Sequence, residues 1–232
     1  MDLILEGIKR AVLLLFTGDR EVWAVTLLTL KVSGAATLIS LVFGVPLGVF
    51  LGLTSFPGRR FVISVVNTGM GLPPVVAGLV VTVFLWRNGP LGVFRLLYTP
   101  GAMVIAQTFI AAPIVVGLTL AGIGGLNPKL RLQILALGAS RAQLLWVLLR
   151  EARLSLLAAV MAGFGGVISE VGASMMVGGN IRGQTRVLTT ATVMEVSKGN
   201  FDLAFALSTI LLAITYGVTL ALTLLQQRGR AS

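Results

Sequence analysis

The stretch "LNPKLRLQILALGASRAQLLWVLLREARLSL", residues 126–156, is a polar and basic interval between two long apolar stretches. Asn127 and Pro128 are typical of a turn followed by a helix start, and Gly138 interrupts the pattern that follows. Leu144 and Leu148 then lie on one helical face. The interval therefore predicts two short helices that meet near Gly138, within a loop at 127–150. A surface loop without helices is the alternative that periodicity leaves open.

The chain on either side of this interval has the composition of a membrane protein. Of its 232 residues, 56% are hydrophobic and 11% are charged, and the mean hydropathy is +0.98, whereas about 25% of the residues in a soluble domain are charged. Because a helix needs about 20 apolar residues to cross the hydrocarbon core, we predict about five transmembrane helices. The fold class is then an all-α polytopic membrane protein, with spans at residues 22–54, 61–86, 100–124, 152–178 and 202–226.

We predict a transmembrane domain at residues 21–227, with a short segment of chain on either side of it. Residues 1–20 have early carboxylates and no small-residue cleavage site, which argues against a signal peptide. Apolar residues recur there at helical spacing, as at Ile4, Ile8 and Val12, so we expect a retained helix that lies in the membrane interface. Residues 228–232 form a short tail.

The residue types that carry most catalytic chemistry are missing. The chain has no cysteine and no histidine, which excludes disulfides, thiolate nucleophiles, imidazole bases and ordinary zinc or haem ligation. With eight carboxylates in the whole chain, we predict a transport protein rather than an enzyme, with no metal site and no cofactor bound by this chain. The net charge of +10 comes from basic residues between the spans, which favours the lipid bilayer's anionic headgroups or an anionic solute over nucleic acid as partners.

Glycine and proline mark special positions within the predicted spans. Gly44, Gly48 and Gly52 follow one another at four-residue intervals, which lets another helix approach closely. Pro73 and Pro74 stand in the middle of the second span, where they remove two backbone donors and free carbonyl groups. Such a break is typical of a helix beside a substrate path, and a simple kink is the alternative. We therefore expect the two prolines to have a gating or structural role.

The segment "LGASRAQLLWVLL", Leu137 to Leu149, resembles the cytoplasmic coupling loop of the type I permeases of ATP-binding cassette (ABC) importers, in which a glycine stands at the position of Gly138. In that family the short helix of this loop docks into a groove on a separate ATPase subunit. The resemblance implies a set of residues that couple this chain to an ATPase: Leu137, Gly138, Ala139, Ser140 and Arg141.

A longer segment narrows the resemblance to one branch of that family. Residues 149–191, "LREARLSLLAAVMAGFGGVISEVGASMMVGGNIRGQTRVLTTA", resemble the tungstate permeases, relatives of the molybdate and sulfate permeases, closely and almost continuously. The departure from the general motif at Leu132, Gln133 and Ile134, where Glu-Ala-Ala is usual, agrees with this branch. Weaker similarity in "GLPPVVAGL" and "RNGPLG" extends the resemblance to most of the chain after Lys31.

The resemblance implies a permease subunit of an ATP-driven importer for an oxyanion, tungstate in the first place, with molybdate or sulfate as the alternative. It implies a homodimer of this chain in the prokaryotic inner membrane, two ATPase subunits that bind ATP and Mg²⁺, and an extracytoplasmic tungstate-binding protein. Basic residues divide nine against nine between the two sides of the predicted spans, so the positive-inside rule alone gives no orientation. A cytoplasmic coupling loop places the N-terminus outside and the C-terminus in the cytoplasm.

The stretch "VGGNIRGQTR", Val177 to Arg186, almost matches a phosphate-binding loop but has Gln184 in place of the lysine. No strand is expected before it, and the implied topology places it at the outer face, where ATP is absent. Its glycine-rich backbone and its arginines suit an oxyanion instead, with contact to lipid headgroups as the alternative. The candidate residues for a substrate path are Ser169, Ser174, Asn180, Arg182, Thr185, Arg186, Thr189 and Thr190.

Glu170 is a carboxylate deep within an apolar window, where an unpaired charge is costly and usually faces the interior. Because it repels a dianion, we predict a structural or gating residue, bonded to backbone donors near Gly172 or across a subunit interface, rather than a ligand. A secondary transporter with Glu170 as its proton or sodium site is a second hypothesis; it predicts inverted internal repeats, and none is visible in the sequence. A membrane-embedded enzyme, the third, would need catalytic groups that a chain without histidine and cysteine hardly supplies.

Overall fold

The computed structural model describes residues 2–228, without the side chains of residues 2–6, 15, 16 and 228. This part of the chain contains eleven α-helices and no strand, which confirms the predicted all-α fold class. The helices are α1 (Asp2–Phe16), α2 (Arg20–Leu53), α3 (Arg59–Met70), α4 (Pro74–Leu85), α5 (Pro100–Gly124), α6 (Pro128–Ala136), α7 (Arg141–Glu151), α8 (Arg153–Ile168), α9 (Gly172–Gly178), α10 (Leu188–Ser197) and α11 (Phe201–Arg228), with a 3-10 turn at Gly92–Phe94. Apart from the last residue of α11, the predicted tail at 228–232 lies outside the described residues.

Three helices, α2, α5 and α11, are long and apolar enough to cross a membrane, and two bent pairs bring the number of candidate spans to five if each pair crosses once. The bent pairs are α3 with α4, at 106°, and α8 with α9, at 58°. The windows predicted at 61–86 and 152–178 are therefore not single helices. The first break follows from Pro73 and Pro74, because proline has no N–H to continue α3 but is well suited to the first turn of α4.

The close approach predicted for the glycines of the first span is confirmed, and the partner is α5. A Cβ added at Gly48 would lie 2.6 Å from the Cβ of Thr119 and 2.8 Å from the Val116 carbonyl oxygen. Gly44 and Gly52 meet α5 in the same way. Since no side chain larger than hydrogen fits at these positions, the three glycines let α2 and α5 pack along much of their length.

The two bent pairs also contact each other, through α4 and α9. A Cβ added at Gly78 would lie 2.7 Å from the Cα of Ala173, and one added at Gly172 would lie 2.9 Å from Cγ2 of Val75. Because Val75 and Gly172 come directly after the two breaks, the interruptions of the second and fourth spans lie side by side.

The long helix α2 defines the two ends of the protein. Its 34 residues correspond to a length of about 51 Å. Near its start, Glu21 pairs with Arg182, and at its last residue the Leu53 carbonyl oxygen accepts a hydrogen bond from Arg131. We call the end with Glu21 the turn end and the end with Leu53 the hairpin end.

At the turn end, α1 and α10 both pack against α11. A Cβ added at Gly7 in α1 would lie 2.5 Å from the Phe205 Cβ, and Arg10 lies 3.6 Å from Asp202. The sequence predicts no helix where α10 lies; its Leu188 is fully buried within a cluster that α11 shares. The position of α1 in a membrane interface stays a prediction.

Candidate functional site

The α6–α7 hairpin, residues 127–151, has the two-helix form that its sequence predicts. Asn127 caps α6 through a 2.9 Å bond from the Lys129 N–H, and Gly138, at a φ of 80°, turns the chain in a conformation that favours glycine. Ser140 then caps α7: its Oγ accepts from the Gln143 N–H at 3.3 Å, and the Gln143 side chain accepts from the Ser140 N–H at 2.8 Å. The tip of the hairpin is thus fixed by local bonds alone.

The two faces of the hairpin differ. Leu144 and Leu148 are buried against the ends of α2 and α5, whereas Leu137 at the tip is 88% exposed and Trp146 on α7 is 61% exposed. The five predicted coupling residues lie together at this tip; all are exposed except Ala139, which is half-buried: Leu137, Gly138, Ala139, Ser140 and Arg141. The hairpin therefore presents apolar and basic side chains outward on an anchored base.

Two arginines connect the hairpin end to the C-terminus of α2. Nε of Arg59, at the start of α3, donates to the Leu51 carbonyl oxygen at 2.8 Å, and Nη1 of Arg131 in α6 donates to the Leu53 carbonyl oxygen at 3.1 Å. The final carbonyl groups of a helix have no partner within it and carry partial negative charge, so cations stabilise them. Arg131 therefore bonds α6 directly to the last turn of α2, in addition to the packing between them.

Glu170 lies at the break between α8 and α9 and is 6% exposed. Both of its carboxylate oxygens accept from the Ala173 N–H at 3.1 Å, and one of them also accepts from the Ser174 N–H at 3.4 Å. These are N–H groups of the first turn of α9, which have no partner inside the helix. The carboxylate thus satisfies the start of α9, and its bonds go to backbone donors next to Gly172, where the sequence analysis expects them.

Polar side chains surround this break. Thr189 donates to the Glu170 carbonyl oxygen at 3.0 Å, and the Ser174 hydroxyl accepts from Nε2 of Gln107 at 3.3 Å. Oε1 of Gln107 is buried without a hydrogen-bond partner among the described residues. Ser169 is exposed, and its hydroxyl donates back to the Gly165 carbonyl oxygen at 2.8 Å. Of the predicted path residues, Ser174 and Thr189 therefore gather around Glu170 in the interior, and Ser169 lies on the surface beside them.

The turn at residues 179–187 does not have the open backbone that the sequence suggests. The N–H groups of Gln184, Thr185 and Arg186 all donate to the Ile181 carbonyl oxygen. The Thr185 hydroxyl donates to the Gly178 carbonyl oxygen at 2.5 Å and accepts from the Ile181 N–H at 3.0 Å, and its side chain is fully buried. In this conformation the turn uses this backbone and Thr185 to hold its own shape; a role of Thr185 on the substrate path stays a prediction.

Neither does the stretch form a phosphate-binding loop. Helix α9 precedes it instead of a strand, and α10 begins only at Leu188, after the threonine of the near-match. Thr190, another predicted path residue, is fully buried and caps α10 through a 3.1 Å bond from the Val187 N–H. Asn180, at a φ of 51°, donates to the Thr190 carbonyl oxygen at 3.4 Å.

The two arginines of the turn are paired with Glu21 at the start of α2. Arg182 bonds to one carboxylate oxygen, and Nη1 of Arg186 lies 3.4 Å from the other. The hydrogen bond and charge of Glu21 raise the pKa of Arg182 further above its ordinary value. No local pattern in the sequence predicts this contact, since Glu21 and Arg182 are 161 positions apart.

A second carboxylate at the turn end also has hydrogen-bond partners. Glu195, at the end of α10, accepts from the side chains of Asn200 at 2.8 Å and Lys198 at 2.9 Å. The hydrogen bond from Asn200, then that from Lys198, lowers the pKa of Glu195. This carboxylate therefore remains charged over the physiological pH range, although the side chain is 9% exposed.

Comparison with known proteins agrees with this architecture. Residues 44–230 match the family model described as "Binding-protein-dependent transport system inner membrane component". Over 98% of its length, this chain is 39% identical to the whole of the tungstate uptake system permease protein TupB of Peptoclostridium acidaminophilum. It is 42% identical, over 84% of this chain and 86% of the relative, to a Haloferax volcanii protein named "Probable anion ABC transporter permease protein".

A solved structure agrees at the level of the fold. The methionine ABC transporter MetNI, in an inward-facing conformation, aligns with a TM-score of 0.71 over 90% of this chain and 94% of that chain, at 21% identity. The similarity to MetNI shows the fold, and the family match covers most of the chain. This chain is a multi-pass inner membrane protein and belongs to the family of binding-protein-dependent transport system inner membrane components.

Proposed function

We propose that this chain is the permease subunit of an ATP-driven importer of tungstate. The main support for the proposal is the 39% identity to a tungstate uptake permease over 98% of this chain and the whole of that relative. Molybdate is the alternative substrate, because both anions are tetrahedral dianions of similar size. Selectivity between them then resides mainly in the binding protein, since a path that bound either anion tightly would not release it.

The working assembly is two copies of this chain, two ATPase subunits that hold ATP and Mg²⁺, and an extracytoplasmic binding protein. The exposed tip of the α6–α7 hairpin supplies the surface on which an ATPase subunit docks. The hairpin end is then cytoplasmic, which places the turn end outside, the N-terminus outside and the C-terminus inside. The basic residues of the tip, with Arg141 foremost, lie where an acidic groove on the ATPase would receive them.

The anion path follows the side-by-side breaks of the second and fourth spans. Broken helices within membrane spans expose backbone groups that suit transient contact with a solute. Ser169, Pro73 and Pro74 are exposed residues at the breaks. Glu170 fixes the start of α9 and repels a dianion, so it shapes the path without binding the substrate.

ATP binding brings the two ATPase subunits together and moves the docked hairpins with them. The motion reaches α2 through Arg131 and through the buried base of the hairpin, and α2 carries α5 because the two helices pack through Gly44, Gly48 and Gly52. Hydrolysis returns the spans to the inward-open arrangement. In this scheme the chain converts a displacement at its cytoplasmic end into a change of access at the breaks.

The docking role is tested by replacing Gly138 with tryptophan. Gly138 has a positive φ and open space around its missing Cβ, so the bulk of Gly138→Trp projects into the docking interface rather than into the protein. We expect loss of copurification with the ATPase and loss of ATP-driven tungstate uptake. Gly58→Trp is a matched control, because Gly58 also has a positive φ and no neighbouring atom within 4 Å of its Cβ position. Normal uptake by Gly138→Trp would refute the docking assignment.

A further inference from the structure

The contact between Glu21 and the two arginines of the turn joins distant parts of the chain at a solvent-accessible place. The side chains of Glu21 and Arg182 are 41% and 72% exposed, and that of Arg186 is 14% exposed. A cavity of about 310 Å³ opens beside them, with Glu21, Arg182 and Arg186 in its lining. The arrangement is that of an anion held between two guanidinium groups, with a carboxylate of the chain itself as the anion.

The carboxylates of Asp19 and Glu195 also line this cavity, but each has hydrogen-bond partners of its own. The nearby carboxylate of Asp19 is engaged at the start of α2, where it accepts from the Val22 N–H at 2.9 Å, and Glu195 is held by Lys198 and Asn200. Of the three carboxylates, Glu21 is the one that bonds directly to both guanidinium groups among the described residues. Moreover, Nε of Arg186 is buried and has no hydrogen-bond partner among the described residues. The pair of arginines therefore keeps donor capacity beyond what Glu21 satisfies.

We infer that Arg182 and Arg186 form a transient oxyanion site and that Glu21 is its built-in competitor, which occupies the site until an anion displaces it. This inference rests on the proposed function and adds a regulating residue to it. A tetrahedral dianion offers the same kind of acceptor oxygens as a carboxylate and one more negative charge, so it fits the vacated guanidinium pair. The Glu21 carboxylate and the dianion cannot occupy the site together, because like charges repel at contact distance.

Competition by Glu21 has two consequences for transport. The anion binds weakly, because its binding must break two existing ion pairs, and weak binding permits onward movement. Displacement of Glu21 also releases the turn, and with it the end of α9, from the start of α2. Arrival of an anion at the turn end is thereby linked to the freedom of the broken fourth span to move.

The test is direct anion binding to the purified complex in nanodiscs, without the binding protein, by equilibrium dialysis with tungstate. Glu21→Gln removes the competing charge and retains size. Removing one like charge at contact distance in an exposed site corresponds to roughly a tenfold change in affinity, so we expect about tenfold tighter binding. Glu21→Asp keeps the charge and shortens its reach, and should fall between the wild type and Glu21→Gln. The double variant Arg182→Gln, Arg186→Gln should abolish binding, whether residue 21 is the original glutamate or glutamine.

Asp202→Asn is the matched control, because Asp202 is a carboxylate of similar exposure at the same end that pairs with Arg10 instead. An equal gain in affinity for Asp202→Asn, or no gain for Glu21→Gln and Glu21→Asp, would overturn the inference. The proposed function fails separately, if the wild-type complex with its binding protein does not accumulate tungstate on addition of ATP. Normal ATP-driven uptake together with unchanged affinity in the Glu21 variants would therefore refute the competitor role and leave the importer role intact.

Discussion

Replacement of Glu170 separates a structural carboxylate from an ion-coupling one. Glu170 is buried, and its carboxylate accepts the N–H groups of Ala173 and Ser174 at the start of α9. Glu170→Ala leaves both N–H groups without a partner in the interior. A buried donor that loses its partner costs about 1–3 kcal/mol, so the free energy of unfolding should fall by roughly 2–6 kcal/mol.

The conservative variant Glu170→Gln should lose less unfolding free energy than Glu170→Ala. Glu170→Gln retains one carbonyl oxygen, which can still accept from α9 but without a negative charge at the helix N-terminus, so the loss should be about 1–3 kcal/mol. Ser169→Ala is the neighbouring control: the exposed hydroxyl of Ser169 donates to the carbonyl oxygens of Gly165 and Gly166 in the preceding turn of α8. Removal of that hydroxyl should change stability by less than about 0.5 kcal/mol.

The assay is thermal unfolding of the complex in nanodiscs, combined with ATP-driven uptake normalised to the amount of folded complex. We expect a graded loss of thermal stability from Ser169→Ala through Glu170→Gln to Glu170→Ala, with substantial uptake per folded complex in the glutamine variant. In a secondary transporter with Glu170 as its ion site, Glu170→Gln would instead abolish transport at unchanged stability. That pattern would refute the capping role.

Further predictions follow from the packing, the topology and the charges. Gly48→Ala should destabilise the protein by about 1–3 kcal/mol through overpacking against α5, whereas Gly34→Ala, with nothing within 4 Å of its Cβ position, should stabilise it by about 0.5–1 kcal/mol; equal melting temperatures would contradict this packing. Gln184 and Ser140 are both exposed, so only the side of the membrane decides whether a cysteine there reacts. An impermeant thiol reagent should label Gln184→Cys but not Ser140→Cys on intact cells, and the reverse pattern would invert the topology. Because the pKa of Glu195 is lowered in the folded state, its contribution to stability should be present at neutral pH and decline below the pKa of an ordinary glutamate, a loss that Glu195→Gln should not show.

The parts of the fold that the sequence predicts are those with a local chemical signature. The four-residue spacing of Gly44, Gly48 and Gly52 predicts close helix packing. Pro73 and Pro74 predict a break because neither can donate an N–H. The hairpin is predictable for the same reason, since Gly138 is part of a short-range pattern that does not depend on the rest of the fold.

The parts that the sequence misses depend on distant partners. The break between α8 and α9 contains no proline, and Glu170 there bonds to the first turn of α9. The pairing of Glu21 with the arginines, and the bond of Gln107 to Ser174, each join segments that are far apart in sequence. The residue type of Thr185 suits the substrate path, but whether its hydroxyl faces a ligand or a backbone carbonyl depends on the folded turn.

In the proposed function, this chain moves tungstate inward when a partner ATPase drives its hairpin. The most direct measurement uses proteoliposomes that contain the chain with its ATPase, with ATP inside and the binding protein and tungstate outside, in the orientation that places the turn end outward. We expect tungstate accumulation that requires ATP and the binding protein and is lost in Gly138→Trp. Accumulation driven by a proton or sodium gradient without ATP would contradict it.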